Sequence, residues 1–273
     1  MNHDPVAWGR PRDDIYGSYN PSYLPPTRQP YSSHPPSHPT THTQSPVVTG
    51  TSVLALKFST GVVIAADNLA SYGSLARFTD VKRLRPFNRN AIVGFGGDVS
   101  DMQYIDRLLL SLVVQENYAG GGESVTLMNA RNLHTYLSKV LYKRRTDFNP
   151  LWNALLVGGL DEHQKPFLAY ADLLGTTYSA PSLATGFGAH LAQPIMRKVV
   201  PDEAAAAKLS KEEAVKTIRE CMKVLFYRDA RSMNEYSLAV VDVRGVELKE
   251  DNKLEAESWA FADQIKGYGT QTV

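Results

Sequence analysis

TSVLALKFSTGVVIAAD, residues 51–67, contains two short runs of β-branched and aliphatic residues divided by Ser59-Thr60-Gly61. Runs of this length, bounded by turn formers, predict a β-hairpin. Neither run alternates apolar with polar side chains. Continuous apolar strands are what a sheet covered on both faces requires. Packed layers are therefore expected above and below this hairpin.

The neighbouring sequence extends the pattern. AIVGFGG (91–97) reads as a further strand, and Asp98 or Ser100 then offers a helix N-cap. Tyr104, Ile105, Leu108, Leu109, Leu112 and Val113 follow at helical spacing, with Gly120-Gly121-Gly122 ending the element. A second helix carries Leu127, Ala130, Leu133, Leu137, Val140 and Leu141 on one stripe. It ends near Asn149-Pro150, because the residue before proline disfavours helix. NALLVGGL (153–160) and PFLAYADLL (166–174) predict another hairpin. Residues 178–186 read as a strand, 189–199 as a short helix, and 211–227 as a long helix facing inward through Ala214, Val215, Ile218, Met222 and Leu225. EYSLAVVDV and GVELKE form the last hairpin. Runs of strands followed by runs of helices disfavour a parallel βαβ sheet. The expected class is α+β: a four-layer αββα sandwich of two antiparallel sheets flanked by helices.

Composition limits the function. Residues 1–50 hold 10 of the 16 prolines, and before Val47 the large aliphatics and Met are only Met1, Val6, Ile15 and Leu24. Such a stretch buries too little apolar surface to offset its conformational entropy. This stretch is therefore expected to be a disordered tail or a pro-segment that is later removed. Lys+Arg is 29 against Asp+Glu 28, a net charge of +1, which argues against nucleic acid or an acidic membrane as partner. No run approaches the ~20 apolar residues of a membrane span. MNHDPVAWGR lacks the apolar centre of a secretory signal. The single cysteine, Cys221, excludes an intrachain disulfide and is expected to be buried and inert. His134 reads as a structural histidine, and no histidine has an acidic or Cys partner at metal-ligand spacing. Neither metal nor other cofactor is expected. Lys143-Arg144-Arg145 suits a helix C-terminus. Gly94-Phe95-Gly96-Gly97 lacks the ending of a nucleotide loop.

Three clusters can carry chemistry. In Thr49-Gly50-Thr51, Thr51 opens a strand; its hydroxyl would be a nucleophile if its own α-amine were freed to act as base. Asp67 ends an apolar strand, where an acidic residue is commonly only a cap or turn former. Tyr227 to Ser232 (YRDARS) marks the passage from a long helix to a strand. There Arg228, Asp229 and Arg231 suit a surface ion-pair network, or Asp229 with Ser232 could orient a nucleophile.

Together with TGTSVL (49–54), SYGSLARF (71–78), NPLWNALLVGG (149–159), SAPSLATGFGAHLAQP (179–194) and KGYGTQ (266–271), these clusters make the chain resemble the β-type subunits of the 20S proteasome over nearly all of residues 51–250. The resemblance implies the N-terminal nucleophile hydrolase fold. It places Thr51, Asp67, Asp229 and Ser232 on the family's Thr, Asp, Asp and Ser positions, with Thr185 near another serine position. The family's lysine, sixteen residues after that Asp, is Arg83 here. A lysine there can have its pKa lowered and help move protons, whereas an arginine stays protonated. Arg83 is expected to hold Asp67 as a bidentate ion pair. Lys82 would point to the opposite face. A second departure is processing. The resemblance implies a cut between His42 and Thr43, before Thr43-Gln44. Residues 43–50 would then stay attached, and Thr51 would keep a peptide nitrogen in place of a basic amine.

The resemblance therefore implies a non-catalytic structural and assembly subunit of the core particle in ATP- and ubiquitin-dependent degradation, in cytoplasm and nucleus. Two alternatives stay open: an active threonine endopeptidase subunit with Thr51 as nucleophile, and, more weakly, a free-standing amidase. Implied partners are neighbouring β subunits, α-ring subunits, assembly chaperones, and β subunits of the opposite ring. That last contact would run through a tail, residues 251–273, in which Trp259, Phe261, Ile265 and Tyr268 are large apolar groups with no obvious place to be buried in a lone subunit.

Overall fold

In a computed structural model, the 51–67 stretch forms strands β2 (Val53–Phe58) and β3 (Gly61–Asp67), paired antiparallel from Val53↔Ala66 to Phe58↔Gly61. The structure describes residues 45–119, 128–255, 258 and 260, all within one unit, Thr43–Val273. Every residue of both strands is buried. Leu54, Leu56, Phe58, Val63 and Ala65 face a helical layer, while Val53, Ala55, Val62, Ile64 and Ala66 face a second sheet. Burial on both faces explains why the runs do not alternate.

The hairpin is the centre of a five-stranded sheet ordered β11 (Ser182–Ala184), β2, β3, β12 (Glu235–Asp242), β13 (Gly245–Lys253). The facing eight-stranded sheet runs β10 (Thr177–Ser179), β9 (Pro166–Asp172), β8 (Asn153–Leu160), β7 (Ala91–Asp98), β1 (Val48–Gly50), β4 (Ala70–Tyr72), β5 (Leu75–Phe78), with β6 (Leu84–Pro86) also on β7. The pairings are antiparallel. Helices α1 (Val99–Ala119) and α2 (Ala130–Thr146) cover the eight-stranded sheet, packing Ile105, Leu109, Leu133 and Leu137 on Val93, Phe95, Leu155 and Val157. Helices α3 (Gly188–Leu191), α4 (Gln193–Val199), α5 (Glu203–Ala206) and α6 (Lys211–Arg228) cover the other, with Met196, Ile218, Met222 and Leu225 on Leu54, Leu56 and Val63. This is the expected αββα sandwich.

Helix starts follow local chemistry. Asp98 Oδ2 accepts the N–H groups of Ser100 (3.0 Å) and Asp101 (3.2 Å) at the head of α1. Ser210 and Glu213 form a reciprocal capping box at α6. Caps of this kind contribute ~1 kcal/mol each. At the end of α2, Lys143 pairs with Asp147 and Arg144 donates to the Asn149 carbonyl.

Several elements differ from the expectation. Tyr104 is 47% exposed and lies under the Arg144 guanidinium instead of in the core, where Met102 and Ile105 fill the space. Residues 178–186 are two strands in different sheets, separated at Ala180-Pro181; proline has no N–H to continue a ladder. Helix 189–199 is split at Ala192, beside Pro194 in the first turn of α4. The last strand continues past residue 250 to Lys253, and Leu254 is buried beyond it. Gly120-Gly121-Gly122 and Leu127 lie outside the described residues. Cys221 is fully buried, and burial pushes its thiol up to about 12. His134 is held to the Tyr170 carbonyl at 2.9 Å.

Candidate functional site

The chain crosses from the eight-stranded to the five-stranded sheet at Thr51-Ser52, between β1 and β2, outside any strand. Carbonyls at such a crossing have no ladder partner, and a buried one left unpaired costs about 1–3 kcal/mol. Arg83, 1% exposed, supplies the donors. Nη1 donates to Thr51 O (2.9 Å) and Phe95 O (3.0 Å), Nη2 to Ser52 O (3.0 Å), and Nε to Asp67 O (3.0 Å). Nη2 also forms an ion pair with Asp67 Oδ1. All five N–H donors of the guanidinium are used. The expected bidentate grip is thus corrected. Arg83 holds the Asp67 carboxylate through one oxygen and the residue's main chain through the other contact, because its remaining donors are drawn to the crossing.

Gly50 has a reason of its own in this arrangement. A Cβ at position 50 would lie 2.4 Å from Arg83 Cδ, so only glycine lets the guanidinium stem pass. Asp67 is also buried; its Oδ2 accepts the Met233 N–H at 3.2 Å. Burial pushes its carboxyl up to about 6, against the lowering by Arg83 and by the Met233 bond. With both oxygens engaged, Asp67 is a structural anion.

Thr51 is half-buried at one wall of an open cleft of about 350 Å³, shared with Gly96, Gly97, Asn153, Thr185 and Arg231. Its hydroxyl donates to Asp229 Oδ2 at 2.7 Å. The other Asp229 oxygen accepts the Arg231 N–H at 2.9 Å, which fixes the carboxylate just past α6. The Ser232 hydroxyl is turned onto the carbonyls of Leu225 (2.9 Å) and Asp229 (2.8 Å), closing the turn. Thr185 is buried, and its Oγ1 accepts the Val53 N–H at 2.9 Å. Of the residues named from sequence, the structure joins Thr51 to Asp229 and Asp67 to Arg83. Ser232 and Thr185 bond to main chain nearby. Lys82 points elsewhere, to Asp80 and Asp251. The carbonyls of Ser52 and Phe95, which give Arg83 its place, carry no side-chain signal and could not be read from sequence. Asn153 was also missed; its amide bonds Gly96 O (3.0 Å) and Asp98 O (2.9 Å) under the cleft.

The residues before Thr51 form an interior strand. β1 pairs with β4 at Val48↔Tyr72 and Thr49↔Ser71, and with β7 at Thr49↔Asp98 and Gly50↔Gly97. Val47 N–H adds a bond to Asp98 Oδ1 at 3.0 Å. Thr51 is therefore continuous with a strand that links the β4–β5 hairpin to the rest of its sheet. His42 and Thr43, and the tail residues Trp259, Phe261, Ile265 and Tyr268, lie outside the described residues. Among the described residues no group of His, Cys, Asp and Glu is placed to hold a metal, and no helix is long and apolar enough to cross a membrane.

Comparison with known proteins agrees with this geometry. The family model "Proteasome subunit" matches residues 47–241. "Proteasome subunit beta type-7" of Saccharomyces cerevisiae is 46% identical over 275 residues, covering 100% of both chains. "Probable proteasome subunit beta type-7" of Schizosaccharomyces pombe is 51% identical over 268 residues, covering 98% of this chain and 97% of that one. "Proteasome subunit beta type-4" of Xenopus laevis is 45% identical over 235 residues, covering 86% and 93%. The chain is thus similar to named relatives over almost its whole length, and it belongs to the proteasome subunit family as a β-type member.

Proposed function

We propose that this chain is a non-catalytic structural and assembly subunit in the β ring of the 20S proteasome core particle, serving ATP- and ubiquitin-dependent protein degradation in cytoplasm and nucleus. One observation carries the reading: residues 48–50 ahead of Thr51 form an interior β-strand, which keeps the Thr51 nitrogen a peptide nitrogen as long as they stay attached. An amide nitrogen is not basic, and an N-terminal nucleophile without its amine has lost its own base. Arg83 reaches Thr51 only at the carbonyl and leaves the hydroxyl to Asp229. Maturation removes residues 1–42 by a cut between His42 and Thr43, leaving 43–50 attached.

The open cleft and the 2.7 Å bond to Asp229 are what favour the active-subunit reading. The two readings separate on one substitution. Thr51→Ala should leave every peptidase activity of the purified particle unchanged, and a covalent threonine-directed inhibitor should leave this subunit unlabelled. A labelled Thr51 peptide would establish the active reading instead.

The partners are β subunits of the same ring, α-ring subunits, assembly chaperones and, through the C-terminal tail, β subunits of the opposite ring. Trp259, Phe261, Ile265 and Tyr268 would each contribute on the order of 1.5–3 kcal/mol if fully buried at such a contact. Deleting residues 258–273 should leave the subunit incorporated while half-particles accumulate and full particles fall on native gels. An unchanged ratio would remove the inter-ring role.

A further inference from the structure

The residues ahead of Thr51 enter the fold by degrees. Ser45, Pro46 and Val47 are exposed, Val48 and Thr49 half-buried, and Gly50 buried. Ser45 and Pro46 border an open cavity of about 380 Å³ between the head of α1 and the end of α2, where Asp101, Arg144 and Trp152 form other parts of the wall. Packing therefore does little to hold them. Among the described residues, the first hydrogen bond met from this end runs from the Val47 N–H to Asp98 Oδ1, at 3.0 Å. The ladder pairs Val48↔Tyr72 and Thr49↔Asp98 begin only behind it.

Asp98 is itself held firmly. It is 6% exposed. Its N–H donates to Trp152 O at 2.8 Å, and its carbonyl accepts the Asn153 amide at 2.9 Å, so its main chain is tied on both sides. The two carboxylate oxygens face different tasks. Oδ2 accepts the Ser100 N–H and hydroxyl and the Asp101 N–H at the head of α1. Oδ1 accepts Val47. A bond to an ionised acceptor is stronger than one between neutral groups, and this one stands where the strand begins.

We infer that Asp98 is the clasp that sets where N-terminal trimming of this chain stops: with Val47 held, residues 47–50 stay in the sheet and out of reach of an endopeptidase. The trimming role rests on the reading given above, in which residues 1–42 are removed; the hold on Val47 does not. Trimming is peptide hydrolysis, with one water consumed per bond cut, and an endopeptidase performs it. This chain contributes only the accessibility of its backbone. Cutting requires backbone that is exposed and free of hydrogen bonds, and where opening is fast it follows the population of the open form. Loss of the clasp raises that population at the start of β1.

The test is Asp98→Asn in the full-length chain, read by the intact mass of the subunit from assembled particles. Asparagine caps a helix about as well as aspartate, but it has one acceptor oxygen in place of two. With that oxygen on α1, its amide group faces the Val47 N–H, donor against donor. Forms beginning at residues 44–47 should rise roughly tenfold relative to the Thr43 form, a shift of about 1.4 kcal/mol in keeping the strand closed. Hydrogen exchange over residues 45–50 should quicken by a similar factor. Val47→Pro removes the same bond from its other end with the helix cap intact. It should give the same shortened forms even if the Asp98 variant fails to assemble. Ser100→Ala removes a cap contact but keeps Oδ1 on Val47, and should match the wild type. An unshifted N-terminus in Val47→Pro, or faster exchange without shortening, would overturn the inference. Equal shortening in Ser100→Ala would overturn it too, by tracing the effect to the helix head. A wild type beginning elsewhere than Thr43 refutes the assigned cut; faster exchange in the variants would still establish the hold on Val47, and unchanged exchange would refute that as well.

Discussion

Arg83→Lys is expected to cost the folded subunit about 3–5 kcal/mol and to restore no peptidase activity. The guanidinium gives five donors to four main-chain carbonyls and one carboxylate, all deep between the sheets. Lysine has three donors on a single nitrogen and cannot span those acceptors, so at least two buried carbonyls lose their partner. Against a total stability of roughly 5–15 kcal/mol, that loss is large. A surface arginine would be worth less than ~1 kcal/mol in the same exchange. Hydrogen exchange at residues 50–53 and thermal unfolding of the particle measure the effect. Faster exchange confined to this crossing, with activity unchanged, is the expected pattern. Wild-type stability in the variant would show that Arg83 does not hold the crossing.

A chain made to begin at Thr51 should fail to incorporate normally, for a reason separate from catalysis. Without β1, the β4–β5 hairpin loses its attachment to β7, and the main-chain groups paired at Tyr72, Ser71, Asp98 and Gly97 lose their partners. The groups left unpaired at buried Ser71 and Asp98 cost ~1–3 kcal/mol each, and the hairpin keeps no other strand partner in its sheet. Limited proteolysis should cut residues 70–82 in this chain and spare them in the chain that retains residues 43–50. If the shortened subunit incorporates at wild-type levels with that hairpin protected, β1 is dispensable and the structural reading of the extension is wrong.

Long apolar elements were readable before the fold was known. The 51–67 hairpin, the strand over 91–97 and the stripe on α6 announce themselves because burial on a face imposes a spacing on side chains. β1, β4 and β6 have only three residues each, too few to show a period. β5, with four exposed residues, carries no burial signal at all. Tyr104 fits the core stripe by its spacing, yet Arg144, forty residues on, offers the ring a face at the surface. The site was legible in part. Thr51, Asp67, Arg83 and Asp229 could be named from the sequence and its resemblance to the family. That Arg83 would divide its donors among the crossing carbonyls could not, since main-chain acceptors leave no trace in residue identity. The same holds for Gly50, whose requirement comes from an arginine stem passing above it.

The central claim, that Thr51 stays inside the chain and performs no chemistry, is tested most directly by the intact mass of this subunit taken from assembled particles treated with a threonine-directed covalent inhibitor. The account predicts a single mature form lacking residues 1–42, beginning at Thr43 and carrying no adduct. A form beginning at Thr51, or one bearing the inhibitor there, would contradict it.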